Sequence, residues 1–190
     1  MFKTVNELKT LGEWDSFYVS GKGLAPVINS LGTGLVGLEL GVARAETSYY
    51  LLENCPNIQM LFCIDPWLPY MDWNGMISNQ LISDMKMAAM ANLSHFADRV
   101  SVIEENSADA QAGVPDESLD FIFIDGDHAH QAALYDMTTY WPKVKKGGLF
   151  AGHDAGMASV DTALETFRVG YGITTPIKYC DNQCWYWVKE

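Results

Sequence analysis

Five short apolar runs recur along the chain, and each gives way to glycine or to an acidic residue. They occupy 35–40 (LVGLEL), 60–64 (MLFCI), 100–103 (VSVI), 119–124 (LDFIFI) and 148–152 (GLFAG). Runs of this length with flanking Asp or Gly suit buried strands. Helices fit the mixed segments between them, at 47–54, 76–97, 108–113 and 128–144. In the longest, Met76, Leu81, Ile82, Met85, Met90, Leu93 and Phe96 recur at helical spacing, and Met85 and Met90 read as core residues. A β-α-β-α order predicts a parallel sheet with helices on both faces. The C-terminus departs from it. The runs 176–180 (PIKYC) and 183–188 (QCWYWV) flank Asp181-Asn182, the pattern of a β-hairpin. The expected fold is therefore α/β, with a mostly parallel seven-stranded sheet closed by a C-terminal antiparallel hairpin strand.

The length of 190 residues predicts one domain, 1–190. Residues 1–34 read as a helical cap: short helices at 5–11 and 24–31, with Trp14, Phe17 and Tyr18 between them. Packing over the sheet edge is the simpler role for this cap, ahead of a share in a substrate pocket. No apolar run reaches the roughly 18 residues of a membrane helix, and the first residues lack an apolar signal core, so a cytoplasmic protein is expected. Lys plus Arg total 12 against 24 Asp plus Glu, a net charge of −12. That balance argues against nucleic acid and anionic membranes as partners. The cysteines at 55, 63, 180 and 184 form no CxxC pair. Cys63 reads as a core residue. Cys180 and Cys184 flank a turn and can pair across it, although two reduced thiols are the preferred reading in the cytoplasm.

Ligands of open α/β sheets bind beyond the carboxyl ends of the strands, and the chemistry-bearing residues fall there. The first strand ends at Glu39 and runs into Gly41, Val42 and Ala43. One glycine stands where a dinucleotide fingerprint has three, which disfavours a pyrophosphate loop. The Glu39 carboxylate suits a ligand with positive charge. The second strand ends in Asp65-Pro66-Trp67. Asp65 is placed to accept hydrogen bonds from ribose hydroxyls, and Trp67 to stack on a base or cap the pocket. After the third strand, Ser107 and Ala108 offer small and polar groups to an adenine edge. The fourth strand delivers Asp125, Asp127 and His128, and the fifth His153 and Asp154. Asp125, His128, His153 and Asp154 can converge for acid–base work or for metal ligation. The plainer alternative is that these carboxylates cap a helix and a turn.

With these pieces in order, the sequence resembles the class I S-adenosylmethionine-dependent methyltransferases. The matching segments are ELGVARAETS (39–48), IDPW (64–67), DRVSVI (98–103), LDFIFIDGDHAH (119–130) and KGGLFAGHD (146–154). The resemblance narrows to a bacterial group of small-molecule and sugar O-methyltransferases. It implies a Rossmann-like methyltransferase fold and S-adenosylmethionine as cofactor. Gly41, Val42 and Ala43 would line its methionine end, with Glu39 supporting the loop and the ammonium group. Asp65, with Pro66 and Trp67, would bind the ribose side, Ser107 and Ala108 the adenine. Asp125 would stand beside the sulfonium. The family often has glycine where this chain has Ala45, which implies a modest loss of room.

The resemblance implies that His128 would stand where relatives place a base that deprotonates an acceptor hydroxyl, so His128 and Asp125 are the catalytic candidates. Related enzymes bind a divalent metal, magnesium or similar, at positions corresponding to Asp125, His153 and Asp154. A histidine in that set favours a softer ion over magnesium. Residues 67–90 are the expected lid, and the aromatic run WLPYMDW (67–73) the substrate wall. The expected partner is a small-molecule acceptor, with homo-oligomerisation left open. A nicotinamide-dependent oxidoreductase and a non-catalytic S-adenosylmethionine-binding module are the competing readings.

Overall fold

The computed structural model describes the chain apart from Met1, Trp73, Asn74 and Asn182, with only the backbone of residues 71, 72 and 75. In chain order the strands are β1 (Leu35–Leu40), β2 (Ile58–Ile64), β3 (Met71–Asp72), β4 (Gly75–Met76), β5 (Val100–Ile103), β6 (Leu119–Ile124), β7 (Val144–Gly152), β8 (Lys178–Cys180) and β9 (Cys184–Val188). The helices are α1 (Val5–Thr10), α2 (Ala25–Asn29), α3 (Glu46–Asn54), α4 (Asn79–Leu93), α5 (Ser107–Ala110), α6 (His130–Tyr140) and α7 (Ala158–Gly170).

Seven strands form one sheet in the order β5-β2-β1-β6-β7-β9-β8. The five strands from β5 to β7 are parallel, and β9 runs antiparallel to both β7 and β8. The strand order reverses between β1 and β6, which opens a crevice at their carboxyl ends. Register sets what stands along it. Leu40 pairs with Ile64 and with Ile124, Ile64 with Ile103, and Ile124 with Gly152. The next residue on each strand therefore falls in one row, which contains Gly41, Asp65, Asp125 and His153.

Alternation along the strands splits the core in two. Leu61, Cys63, Phe121, Phe123, Leu149 and Ala151 pack with residues of α2, α3 and α4. Leu38, Leu40, Ile122, Ile124 and Phe150 pack with α5, α6, α7 and the tryptophans of β9. The sequence pattern did not anticipate α7, although Val160, Ala163, Leu164 and Phe167 lie on its buried face at helical spacing. In α4, capped by the Ser78 side chain, Ile82, Ala89 and Leu93 face the core and Met85 packs against it. Met90 lies at the surface instead, because its position falls outside that stripe. Arg99 holds the carbonyls of Leu52, Cys55 and Ile58, joining the end of α3 to the start of β2.

The N-terminal residues cover a sheet face and reach the edge strand β8, where Gly23 lies against Cys180. Leu24, Ala25 and Ile28 join the core over Phe121 and Ala151. Val5, Leu8, Trp14 and Val19 form a satellite core with Tyr49 of α3. Asn92, buried in α4, accepts from the Val5 amide and donates to the Arg44 carbonyl, both at 2.8 Å, which ties the segment to the loop after β1. Among the described residues, no helix is long and apolar enough to cross a membrane.

Candidate active site

The loop after β1 is built by backbone constraint. Gly41 has φ +81°, its amide donates to Ile64 O at 3.0 Å, and a Cβ there would lie 2.0 Å from the backbone oxygen of Asp125. Only glycine permits that approach. Beyond it Ala43 (φ 48°) and Ala45 (φ 63°) take left-handed conformations, as do Trp67 (φ 41°) after β2 and Asp154 (φ 61°) after β7. Non-glycine residues seldom adopt this region, and such strain concentrates where a site requires it. Ala45 thus stands where glycine would serve the backbone conformation rather than add room.

Asp65 secures the loop. One carboxylate oxygen accepts from the amides of Val42 and Ala43, both at 2.9 Å, and the other from the amide of Trp67 at 2.7 Å. Burial raises its pKa, and these three hydrogen bonds oppose the rise. The Trp67 indole is buried in the core and donates to Ala43 O at 2.9 Å. Its ring is therefore committed to packing beneath the loop rather than to stacking on a base. Pro66 is half-buried between the two.

Glu39 is buried in β1 and accepts from the Ser48 hydroxyl, which also contacts Cys63 Sγ at 3.1 Å. Burial pushes its pKa well up; Ser48 opposes this, and the nearby Asp125, Asp65 and Glu46 add to it. Ser107 begins α5 after the Asn106 cap, and its hydroxyl donates to the buried Asp136 at 2.5 Å. Its side chain joins α5 to α6, while Ala108 is exposed.

The expected Asp/His cluster does assemble. Asp154 Oδ2 lies 2.8 Å from His128 Nε2, and Asp154 Oδ1 lies 3.2 Å from His153 Nδ1. His153 Nδ1 is also 3.6 Å from Asp125 Oδ1. Burial favours the neutral form of Asp154, but hydrogen bonds from both imidazoles hold its pKa far below the usual carboxylate range. Burial drives Asp125 the other way, to about 6, against the opposing pull of His153. His128 is raised by its hydrogen bond to Asp154. His153 is raised as well: burial works against its charged form, but Asp154 and Asp125 outweigh that.

The sequence reading missed Tyr18 as a site residue. Its hydroxyl lies 2.6 Å from His153 Nε2, across 135 positions of sequence. Its aromatic neighbourhood was visible, but nothing local connects it to His153. The lid segment contributes the short β3–β4 hairpin and exposes Leu68, Tyr70 and Met76. Trp73, in the expected substrate wall, lies outside the described residues. Metal-ligand geometry selects Asp125, His128 and Asp154, whose ligand atoms lie within 4.8 Å of one another. The expected set had His153 in place of His128.

Residues 38–155 match the family described as "Methyltransferase domain". The chain belongs to this methyltransferase family. The match runs from β1 to the residue after Asp154, so it contains the whole tip row and the cluster. It leaves out Tyr18 and the C-terminal hairpin. No curated protein matches the sequence. Among solved structures, a candidate caffeoyl-CoA O-methyltransferase from Staphylococcus aureus is similar over 100% of this chain and 93% of its own, with 20% identity and a TM-score of 0.65. The O-methyltransferase NovP is similar over 88% and 77%, with 17% identity and a TM-score of 0.63. A candidate rRNA methylase from Clostridium thermocellum is similar over 92% and 99%, with 11% identity and a TM-score of 0.64. At these identities the likeness is one of fold. The methyltransferase therefore has the Rossmann-like class I architecture of S-adenosylmethionine-dependent enzymes, and the nicotinamide reading loses its ground.

Proposed function

We propose that this methyltransferase transfers the methyl group of S-adenosylmethionine to a hydroxyl of a small molecule, with His128 as general base. The observation that carries the reading is the His128–Asp154 pair, 2.8 Å apart, beside Asp125 at the crevice. The donor set suits the cofactor. Asp65 and Asp125 stand in the tip row with Glu39 and Asp154 close to it, and among the described residues no lysine or arginine pairs with them. A ligand bearing an ammonium and a sulfonium brings positive charge to Glu39 and Asp125, which burial otherwise drives towards their neutral forms.

S-adenosylmethionine supplies a methyl group already activated for in-line displacement. The chain must align the acceptor oxygen and take its proton. In the neutral His128 ring, donation from Nε2 to Asp154 puts the basic lone pair on Nδ1, where the acceptor's proton is received. The negative charge of Asp154 stabilises the imidazolium that results. Exposed Leu68, Tyr70 and Met76 of the lid, with Tyr18 from the N-terminal segment, offer an apolar wall to the acceptor. The acidic surface of the chain supports a small molecule over RNA as substrate.

Asp125, His128 and Asp154 also fit a divalent ion, which would acidify a bound hydroxyl. Two carboxylates and one imidazole suit a manganese- or zinc-like ion better than magnesium. The two mechanisms compete for one imidazole, because coordination would consume the lone pair that a base needs. The test is methyl transfer from labelled S-adenosylmethionine to a panel of phenolic and sugar hydroxyls, with amines and RNA alongside. Transfer to hydroxyls only is expected. Transfer to amines or RNA, or cofactor binding with no transfer to any acceptor, overturns the reading.

A further inference from the structure

Two sulfur atoms outside the family match face each other at the end of the C-terminal hairpin. Cys180 and Cys184 are directly opposed in the β8–β9 ladder, and their Sγ atoms lie 2.9 Å apart. That is closer than two unbonded sulfurs rest in ordinary contact. Directly opposed antiparallel residues have Cα atoms roughly 4.5–5.5 Å apart, within the roughly 4.4–6.8 Å that a disulfide spans. Closing the bond therefore asks little of the backbone. Cys180 is partly exposed, while Cys184 is buried. The other two cysteines, Cys55 and Cys63, are both buried.

We propose that Cys180 and Cys184 form a reversible disulfide, made by exchange with a low-molecular-weight disulfide such as oxidised glutathione. The Cys180 thiolate attacks one sulfur of the oxidant, forming a mixed disulfide and releasing one glutathione thiolate. Cys184 then attacks the Cys180 sulfur and expels the second glutathione. The two protons of the protein thiols end on the two glutathione molecules, which carry away the electron pair. The roles follow from access and from acidity. The contact with Cys184 draws the Cys180 thiol down, whereas that same contact and burial push Cys184 up, so the more accessible partner is also the more acidic one.

The position gives the bond a consequence. The Gly23 amide donates to Asp181 Oδ2 at 2.6 Å, and a Cβ on Gly23 would lie 2.8 Å from Cys180 Cβ. On the other side, Ala155 N donates to Gln183 O at 2.9 Å, and Trp185 Nε1 donates to His153 O at 2.9 Å. The pair thus joins the segment that carries Tyr18 to the strand tip that carries His153 and Asp154. This inference stands apart from the methyl-transfer reading, since it needs neither cofactor nor acceptor.

The test exposes the full chain to oxidised glutathione and then alkylates it under denaturing conditions. The number of free thiols should fall from four to two. Peptide mapping should place the bond between Cys180 and Cys184, and dithiothreitol should restore all four thiols. Cys184→Ser should stop at the glutathione adduct on Cys180, and Cys180→Ser should form no adduct. The proposal is overturned if wild type keeps four thiols, halts as a stable glutathione adduct, or forms a bond to Cys55 or Cys63. The wild-type arm decides the matter even if a variant folds poorly.

Discussion

The backbone oxygen of Asp125 occupies the space that a side chain on Gly41 would need, 2.0 Å from the position of its Cβ. The loop after β1 therefore rests on the tip of β6, and the two halves of the crevice are held in fixed relation by one missing methyl. Gly41→Ala must meet both the clash and the left-handed φ of +81°. It should lower stability by about 2–5 kcal/mol, the sum of an overpacking and a backbone penalty. Urea unfolding of wild type and variant measures this. A change under about 0.5 kcal/mol, the range of an ordinary surface substitution, would show that the loop yields freely.

In the structure Asp65 secures the loop after β1, a duty that was not visible in the sequence. It was expected on the ribose, and its carboxylate already holds the amides of Val42, Ala43 and Trp67. Asp65→Ala should weaken S-adenosylmethionine binding by roughly 1.5–3 kcal/mol through the lost charge-assisted bonds. It should also loosen the loop, lowering stability by about 1–3 kcal/mol because buried amides lose their acceptor. Titration calorimetry and thermal unfolding read the two effects. Intact cofactor affinity in a destabilised variant would make Asp65 a support for the loop alone.

What the sequence made legible was whatever short-range pattern controls. The five parallel strands showed because they are short apolar runs, and their register then fixed the row of tips. The cluster of Asp125, His128, His153 and Asp154 showed because two neighbouring tips carry it. Contacts that depend on long-range docking did not show. Tyr18 meets His153 only because α1 and α2 pack on α3 and the sheet. Trp67 looked like a stacking platform until a left-handed turn drove its ring into the core. The α7 helix carries helical spacing at Val160, Ala163, Leu164 and Phe167, but it lies beyond the regular alternation of apolar strands and mixed segments.

Asp125 sets a pH dependence whose sign follows from burial. Its pKa is raised to about 6, so in the folded protein it holds a proton that the unfolded chain releases nearer the ordinary carboxylate value. The stability it contributes is fully present below that ordinary value and is lost as pH rises through about 6. A cationic ligand reverses the balance, because it prefers the charged carboxylate. S-adenosylmethionine affinity should therefore weaken as pH falls below about 6, approaching tenfold per unit, and Asp125→Asn should flatten the curve. Calorimetric titrations between pH 5 and 8 (roughly the range that brackets this group) provide the check. A wild-type affinity constant across that range would remove Asp125 from the cation's surroundings.

His128 decides between the two forms of the mechanism. Its hydrogen bond to Asp154 raises its pKa, so the neutral ring that a base requires becomes abundant at higher pH than it would without that carboxylate. Turnover should rise with pH through that raised value and level off beyond it. His128→Ala should cut turnover by about 10²–10⁴-fold with cofactor affinity largely kept. The pH profile alone cannot separate base from ligand, since a coordinating imidazole must also lose its proton. Asp154→Asn separates them. If His128 is a base, removing the carboxylate lets its pKa fall back, so the rising limb moves to lower pH while part of the rate survives. If the trio holds an ion, Asp154→Asn should abolish turnover at every pH, and a chelator should do the same to wild type until a divalent ion is restored. Near-wild-type turnover by His128→Ala across the whole pH range would dismiss both forms and leave the cluster as a structural tie between β6 and β7.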